Sequence, residues 1–270
     1  MTGLQKNLMT TTNIANRFSG LVRLYTSDGL LKLQRANVAV VGIGGVGSWS
    51  AEALARTAVG NITLIDLDDI ALSNVNRQLH ALSSTIEGSK VDIMKQRILD
   101  INPECNVTAI EDFVTTETLQ DYISTSFDVV IDAIDSVKAK AAMIAFCKRN
   151  KIKVITVGGA GGQIDPLKIT CNDLAKTIQD PLAAKLRSEL RRFYNFSKNP
   201  KRNFGVECVY SSEQLRYPQA DGSVSFEKSQ QQGAGKMDCA TGFGAFVGVT
   251  ATFGLVAASR AIQFIVDRKT

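Results

Sequence analysis

A glycine-rich loop occupies residues 42–47, between the apolar, β-branched run 38–41 and an alanine-rich helical segment. Its glycines are Gly42, Gly44, Gly45 and Gly47, so the loop satisfies the G-x-G-x-x-G pattern with Gly45 as an extra. Glycines permit a tight turn and a close approach of backbone to phosphate, and the following helix N-terminus adds N–H donors. A second apolar run, 62–65, ends in Asp66, 19 residues after the last glycine. A carboxylate there can accept a hydrogen bond from a ribose hydroxyl, so the stretch predicts a nucleotide-binding βαβ unit.

The glycine loop alone is typical of NAD-dependent oxidoreductases, and that alternative is open at this point. Arg77, in the segment SNVNRQ at 73–78, favours a different ligand. A dehydrogenase needs no arginine there, whereas a triphosphate that is being cleaved needs its charge neutralised. Lys90, 13 residues further on at a predicted helix start, would complete a clamp for a leaving phosphate. Alternatively, Arg77 and Lys90 are solvent-exposed surface residues without a role in binding.

Two aspartates stand at the end of the apolar run 127–134. Either Asp132 or Asp135 could hold Mg²⁺ between phosphate oxygens, because Mg²⁺ prefers one or two carboxylates plus phosphate. A structural alternative for Asp135 is to cap the helix that is predicted to begin at Val137.

Alternating apolar runs and helical segments must position these groups, and they predict a Rossmann-like, mainly parallel α/β sheet. We expect a helix, a turn at Asp28-Gly29 and a second helical turn in 17–33. The predicted strands lie at 37–43, 62–67, 105–110, 127–134, 153–157, 167–171 and 206–210. The predicted helices lie at 46–57, 90–101, 116–125 and 137–150. Ligands of such sheets sit beyond the carboxyl ends of the strands. The glycine loop, Asp66, Asp135 and a second glycine run at 158–162 are therefore expected to converge.

Length and composition suit one large α/β domain. The chain has 270 residues, 44% of them apolar, and only 5 prolines. We divide it into a flexible tail (1–16), a nucleotide-binding core (17–162) and a C-terminal extension (163–270) with a basic helix, a mobile loop at 211–236 and an apolar helix. The tail lacks the apolar region of a secretory signal.

The 5 cysteines are scattered without a CxxC pair, which argues against zinc and for a reducing cytosol. Cys105 and Cys208 are expected in the core, and the single histidine, His80, is expected to be structural. Cys239 is interpreted as an incidental or redox-sensitive thiol, because its neighbour Asp238 does not lower a thiol pKa; a sulfur-carrying role is the alternative.

An uncharged segment runs from 239 to 259, 21 positions long. That length can cross a bilayer, which takes ~20 residues. Its four glycines and four hydroxyl residues weaken a membrane interpretation, and a buried core helix explains it equally well. A cytoplasmic protein is expected, with peripheral or single-span membrane association as the alternative.

The stretches GIGGVGSWSAEALAR, LIDLDDIALSNVNRQ, GSKVD and VVIDAIDS resemble the ubiquitin-activating-enzyme-like superfamily over about residues 17–162. Its members activate a carboxylate with ATP, forming an acyl-adenylate and releasing pyrophosphate. The resemblance implies that the ATP-binding set comprises the loop glycines with Asp66 on the ribose, Asp68, and Asn74, Arg77 and Lys90 on phosphates, with Asp135 on Mg²⁺. Arg77, Lys90 and Asp135 would be the catalytic members.

Within that superfamily, RFSGLVRLY, LRSELRR, VECVYSSE and CATGFGAFVG resemble the tRNA threonylcarbamoyladenosine dehydratase family. This resemblance implies adenylation of the threonine carboxylate on a modified adenosine beside the tRNA anticodon, followed by cyclisation with loss of water. It also implies a homodimer and no stable DNA partner. Gly20 stands where relatives carry an arginine that reaches a partner's site; Arg17 or Arg23 could replace it.

Other functions are kept as alternatives. One is an adenylating activator of a sulfur-carrier or ubiquitin-like protein, served by a sulfur-transfer protein system, which the missing CxxC pairs disfavour. Another is a nucleotide-gated binding module without catalysis.

A basic segment, read as one helix continuing to 202, supplies an independent indication of RNA. Over 185–202 seven basic residues face one acidic residue, Glu189, a net charge of +6 against +5 for the whole chain. The predicted RNA-binding residues are Lys185, Arg187, Arg191, Arg192, Lys198, Lys201 and Arg202. Phe193, Tyr194 and Phe196 lie among them and could stack on unpaired bases. A solvated helix face with inward aromatics is the alternative.

Overall fold

A computed structural model describes residues 16–219, 221–227 and 243–268. At its centre is a seven-stranded sheet in the order β3-β2-β1-β4-β5-β7-β6. The strands are β1 (Asn37–Val41), β2 (Asn61–Ile65), β3 (Asn106–Ile110), β4 (Val129–Asp132), β5 (Lys153–Val157), β6 (Ile169–Asp173) and β7 (Glu207–Ser211). Every neighbouring pair is parallel except β6 with β7. The predicted Rossmann-like, mainly parallel α/β fold is confirmed.

Helices cover both faces of this sheet. They are α1 (Ser19–Arg35), α2 (Gly47–Arg56), α3 (Lys90–Ile101), α4 (Leu119–Tyr122), α5 (Val137–Arg149), α6 (Pro181–Phe193) and α7 (Val247–Asp267). Alternate residues of β1 enter two separate cores, because successive side chains of a strand point to opposite faces. Val38 and Val40 pack with α2, α3 and α7, whereas Ala39 and Val41 pack with α5 and α6.

Two predicted helices differ from the structure in their breaks and ends. The break in α1 falls at Thr26 (φ 65°, ψ 173°), not at Asp28-Gly29, and Gly29 is buried inside the helix. The helix expected over 116–125 is only the single turn α4. Thr115 and Thr118 hydroxyls hydrogen-bond nearby backbone N–H and C=O groups there, which competes with an earlier helix start.

The basic helix is shorter than predicted. Asp180 caps α6, accepting a 2.8 Å hydrogen bond from the N–H of Ala183, but α6 ends at Phe193 rather than continuing to 202. Asn195 then adopts a left-handed conformation (φ 63°), which an α-helix cannot continue through. The loop expected at 211–236 contains a two-stranded hairpin, β8 (Tyr217–Pro218) with β9 (Val224–Ser225); residues 228–236 lie outside the described residues.

The apolar segment forms α7, which packs closely on α2. A Cβ on Gly254 would lie 2.3 Å from the Val46 carbonyl oxygen, and the Ser50 hydroxyl donates a 2.9 Å hydrogen bond to the Gly254 carbonyl. By length and composition α7 could cross a bilayer, yet half of its apolar window is buried inside the fold. Its buried face carries Phe253, which is fully inaccessible, while Leu255 is exposed.

Gly254→Ala should lower the free energy of unfolding by about 1–3 kcal/mol, because the added methyl group overlaps backbone of the neighbouring helix. Urea denaturation monitored by circular dichroism measures this. The matched control is Gly20→Ala in α1, where a Cβ meets no atom within 4 Å. It should be neutral or stabilising by up to ~1 kcal/mol. Equal effects of the two substitutions would contradict the close packing of α7.

Candidate nucleotide-binding site

The glycine loop connects β1 to α2 with backbone in van der Waals contact. A Cβ on Gly42 (φ 86°) would lie 2.9 Å from Ala133 backbone atoms, and a Cβ on Gly47 would lie 1.7 Å from the Gly42 carbonyl oxygen. At Gly44 the nearest atom is Gln78 Nε2, 3.9 Å away. The outer glycines therefore close the turn, while the centre of the loop leaves room for a ligand.

Asp66, at the carboxyl end of β2, is bonded directly to this loop. Its carboxylate accepts hydrogen bonds from the N–H of Ile43 (2.6 Å) and of Asp68 (3.0 Å). Burial raises the pKa of Asp66, while Lys90 and these two N–H donors oppose that rise. The carboxylate is thus anchored beside the loop, and its contact with a ribose hydroxyl stays a prediction.

Lys90 is buried at the start of α3 and held by two carboxylates. Its Nζ lies 2.7 Å from Asp68 Oδ2 and 3.8 Å from Asp66 Oδ1. Lys90 therefore lies beside Asp66 and Asp68 at the carboxyl end of β2. Its ammonium group is ion-paired in this structure, and phosphate binding by Lys90 stays a prediction.

Arg77 packs against the loop at Gly45. Its Cγ is 3.3 Å from the position of a Cβ on Gly45, and its Nη1 donates to the Ser73 carbonyl (2.8 Å) and to Asn76 Oδ1 (3.0 Å). The Trp49 indole N–H donates to the Arg77 carbonyl at 3.1 Å. This indole anchor was not anticipated from the sequence, because nothing in the local pattern links residues 49 and 77.

Asn74 shapes the turn that carries Arg77. It is buried, its Oδ1 accepts a 3.0 Å hydrogen bond from the N–H of Ala71, and its carbonyl accepts from the N–H of Gln78 at 2.9 Å. The side-chain oxygen is therefore used within the loop. Contact of Asn74 with phosphate stays a prediction.

The turn between β4 and α5 separates the two candidate metal ligands. Asp132 is completely buried, 3.0 Å from Lys140 Nζ, and accepts a 2.6 Å hydrogen bond from the Thr156 hydroxyl. These contacts hold the Asp132 carboxylate inside the core, which favours Asp135 over Asp132 as the Mg²⁺ ligand; metal binding by either residue stays a prediction. Asp135 is exposed on the turn that touches Gly42 through Ala133. The residue at the N-cap position of α5 is Ser136.

These residues fit an ATP–Mg²⁺ pair in their donor chemistry. One exposed carboxylate beside the glycine loop suits Mg²⁺, which keeps waters and phosphate oxygens as its remaining ligands. Within the described residues, no group of three His, Cys, Asp or Glu side chains could hold a metal by itself.

Lys140 fixes this turn and was also missed. Its ammonium group is fully buried and donates to the carbonyl oxygens of Asp132 (3.2 Å) and Ile134 (2.9 Å). A lysine inside the apolar run AKAAMIA was the available signal, since lysine is almost never fully buried unless paired.

His80 packs beneath the loop, as the structural interpretation expected. It is 2% exposed, and its Nε2 lies 2.9 Å from the Ile43 carbonyl oxygen. Burial lowers the pKa of His80 to about 4, so the ring is neutral at pH 7. Cys105 and Cys208 are buried as predicted, and burial raises the pKa of both thiols. Cys239 lies outside the described residues.

The basic residues are not brought to the glycine loop. Asp180, at the start of α6, accepts a 3.0 Å hydrogen bond from the N–H of Gly159, which follows the carboxyl end of β5. α6 then runs to the amino edge of the sheet, where the Arg191 guanidinium lies 5.3 Å from the centre of the Phe204 ring. A helix of 13 residues spans ~20 Å, so the basic positions from Arg191 onward lie about that far from the carboxyl edge.

Lys185 and Arg187 lie nearer the carboxyl edge, in the second turn of α6, and Arg187 donates to the Thr177 hydroxyl. Arg17 lies at the amino edge, donating to the Ile101 carbonyl at 3.2 Å, and does not reach the glycine loop of its own chain.

The chain matches a family model and known proteins over most of its length. A ThiF family model matches residues 18–270. The chain is 56% identical over 247 residues to an Escherichia coli tRNA threonylcarbamoyladenosine dehydratase, covering 92% of each chain. It is 53% identical over 258 residues to the Haemophilus influenzae protein of that name, covering 96% of each.

A solved structure gives the same match in three dimensions. The crystal structure of the E. coli dehydratase in complex with ATP superimposes with a TM-score of 0.81 at 50% identity, covering 93% of this chain and 94% of that one.

Replacing His80 should remove an acid-sensitive contribution to stability. Because the folded state favours the neutral ring, the unfolded chain binds more protons between pH 6.5 and about 4. The free energy of unfolding should fall by ~3 kcal/mol more in the wild type than in His80→Gln across that window. Urea denaturation at pH 7 and pH 4 measures the difference; parallel pH curves would contradict the buried neutral histidine.

Lys140→Met should lower the free energy of unfolding by about 3–5 kcal/mol, because it leaves the Asp132 carboxylate buried without its partner. The matched control, Lys138→Met, changes an exposed lysine of the same helix and should stay within ~0.5 kcal/mol of wild type. Equal stabilities of these two variants in urea denaturation would argue against the ion pair.

Proposed function

The chain belongs to the ThiF family, and we propose that it is an ATP-dependent enzyme that dehydrates threonylcarbamoyladenosine in tRNA. The observation that carries this proposal is that Arg77 packs against Gly45 in the same glycine loop whose Ile43 N–H binds Asp66. A recycled dinucleotide needs no arginine at that position, whereas a cleaved triphosphate does. Identity of 56% over 92% of the chain supports the substrate.

The proposed reaction has two steps, adenylation and cyclisation. A carboxylate oxygen of the threonyl group attacks the α-phosphorus of ATP, forming an acyl-adenylate and expelling pyrophosphate. The ureido nitrogen of the same side chain then attacks the activated carbonyl carbon, expelling AMP and losing a proton. The substrate has lost one water in total. Because the second step is intramolecular, the enzyme needs no nucleophile of its own.

The roles of the protein follow from the positions of its side chains. The open centre of the glycine loop takes the phosphates, and Asp66 accepts from the ribose hydroxyl. Arg77 neutralises charge on the leaving pyrophosphate, with its backbone held by Trp49. Lys90 orients the carboxylates of Asp66 and Asp68 through its ion pairs with them, and supplies a further cation to the phosphates.

Asp135 is proposed to hold Mg²⁺ on the phosphates. When bound there, the ion would supply positive charge that stabilises the negative charge developing on the phosphate oxygens. Lys140 serves this position indirectly, because it ties the carbonyls of Asp132 and Ile134 immediately before Asp135.

The tRNA is proposed to bind through α6 and the basic residues beyond it. RNA affinity rests largely on phosphate contacts, and the net charge of +6 over 185–202 in a helix that runs from the carboxyl edge to the amino edge, with the segment after it, supports this proposal. The basic residues far from the glycine loop then bind the body of the tRNA rather than the reacting nucleotide.

We further propose a cytoplasmic homodimer in which α7 is a core helix. Burial of Phe253 and the contact of Gly254 with α2 support the core role of α7. The exposed apolar side chains Leu24 (69% exposed) and Leu72 (73%) offer surface for a second copy. A sulfur-transfer partner stays a prediction, because it depends on Cys239.

Arg77→Ala and Asp135→Ala should each lower the rate of cyclic product formation by about 10²–10³-fold, because each removes charge that stabilises the transferring phosphates. The measurement is mass spectrometry of nucleosides from threonylcarbamoyladenosine-containing tRNA after incubation with protein, ATP and Mg²⁺. The wild type should convert the nucleoside to a product lighter by one water.

The matched controls are Arg35→Ala and Asp121→Ala, which change exposed residues of the same types on α1 and α4. Both should keep wild-type rates. Failure of the wild type to remove water would overturn the proposed substrate, and full activity of Arg77→Ala would overturn the proposed site.

A further inference from the structure

A cavity of about 370 Å³ lies at the amino edge of the sheet, between the end of α5 and the loop that follows α6. Its lining includes Lys148, Arg149, Tyr194, Asn195, Phe196 and Phe204. The cavity is separated from the glycine loop by the length of α6, so it is not part of the nucleotide-binding site.

Aromatic rings form one side of this cavity. Phe196 packs edge-on against the buried Phe204, with ring centres 5.0 Å apart and planes at 75°. Tyr194 and Phe196 are only half-buried, so parts of both rings are accessible. The left-handed conformation of Asn195 reverses the chain between them, which lets two nearly adjacent rings line the same cavity. An accessible aromatic surface of this kind suits the face of an unpaired base.

The remaining side of the cavity is basic. Among the residues that the structure describes, no acidic side chain lines it, and Lys148 and Arg149 come from the last turn of α5. Arg149 is exposed, while the Lys148 ammonium donates to the Gly205 carbonyl at 3.1 Å. Ser197 and Asn203 also line the cavity and bracket the exposed cations Lys198, Lys201 and Arg202. Stacking surface beside clustered positive charge is the combination that binds single-stranded nucleic acid.

We propose that this cavity receives an unpaired nucleotide of the tRNA, distinct from the one that reacts. Its base packs on Tyr194 and Phe196, and its phosphate lies at Arg149. This inference rests on the proposed function and names a second contact with the same substrate. α6 links the two positions, with Lys185 and Arg192 exposed along the way.

The test is steady-state kinetics with full-length modified tRNA, saturating ATP and Mg²⁺, and product measured by nucleoside mass spectrometry. Tyr194→Ala and Arg149→Glu should each raise KM for tRNA about 5- to 100-fold, the range that loss of one stacked base gives. Their kcat should stay within about twofold of wild type, because neither residue lies near the reacting atoms. Tyr194→Phe keeps the ring and should restore the wild-type KM.

Controls separate this inference from the proposed function and from folding. Arg35→Glu reverses an exposed charge on α1 and should leave KM unchanged. Arg149 is exposed, so its replacement does not endanger the fold, and the melting temperature and its increase with ATP verify that in each variant. If the wild type makes cyclic product while Tyr194→Ala and Arg149→Glu keep its KM, the cavity does not bind tRNA. A protein ligand for the cavity would give that same result.

A second substrate series identifies the nucleotide. The series consists of modified tRNAs that each carry one abasic position in the anticodon loop. For one of them, the KM measured with the wild-type enzyme should rise to the KM that Tyr194→Ala shows with intact tRNA. With Tyr194→Ala itself, that tRNA should show no further increase. Independent, additive effects at every position would overturn stacking on Tyr194.

Discussion

The contact of Gly47 with the carbonyl of Gly42 is the constraint on which the site depends. Since even a methyl group at Gly47 would overlap that oxygen, α2 can begin only where the chain has no side chain. In the loop that this contact closes, the N–H of Ile43 donates to Asp66 and Gly45 packs against Arg77. α7 completes the arrangement by bringing Gly254 onto the carbonyl of Val46, so the loop is enclosed by backbone on several sides.

Signals that are local in the sequence predicted most of this arrangement. Apolar runs of strand length and the glycine spacing predicted the mainly parallel sheet, and the placement of Asp66 beside the loop followed from its position after β2. The Trp49–Arg77 and Lys140–Asp132 pairs depend on tertiary contact and leave no periodic pattern. The end of α6 was missed for a similar reason: its basic composition suits a helix, and the reversal at Asn195 is set by packing around Phe204.

The two edges of the sheet carry different chemistry. The carboxyl edge holds a small set of charges at short distances, with Lys90 and Lys140 both paired to carboxylates. The amino edge instead presents exposed cations around half-buried rings. Buried ion pairs such as those at the carboxyl edge require a strict geometry and are weakly screened by salt. Contacts between exposed cations and phosphates accept varied geometries and depend strongly on the salt concentration. Under the proposed function, one α/β layer would support both the adenylation reaction at its carboxyl edge and the binding of a large polyanion at its amino edge.

α6 starts at the carboxyl edge of the sheet and ends at the amino edge. The nucleotide-binding site and the aromatic cavity are therefore linked by this helix but are built from almost entirely different residues. Variation at Tyr194 or Arg149 alters no atom that contacts the glycine loop. If the proposed nucleotide contact holds, natural drift at these positions would shift preference among RNA substrates while the adenylation chemistry is inherited unchanged. For protein engineering, the same proposal makes the distal end of α6 the place to graft new RNA selectivity.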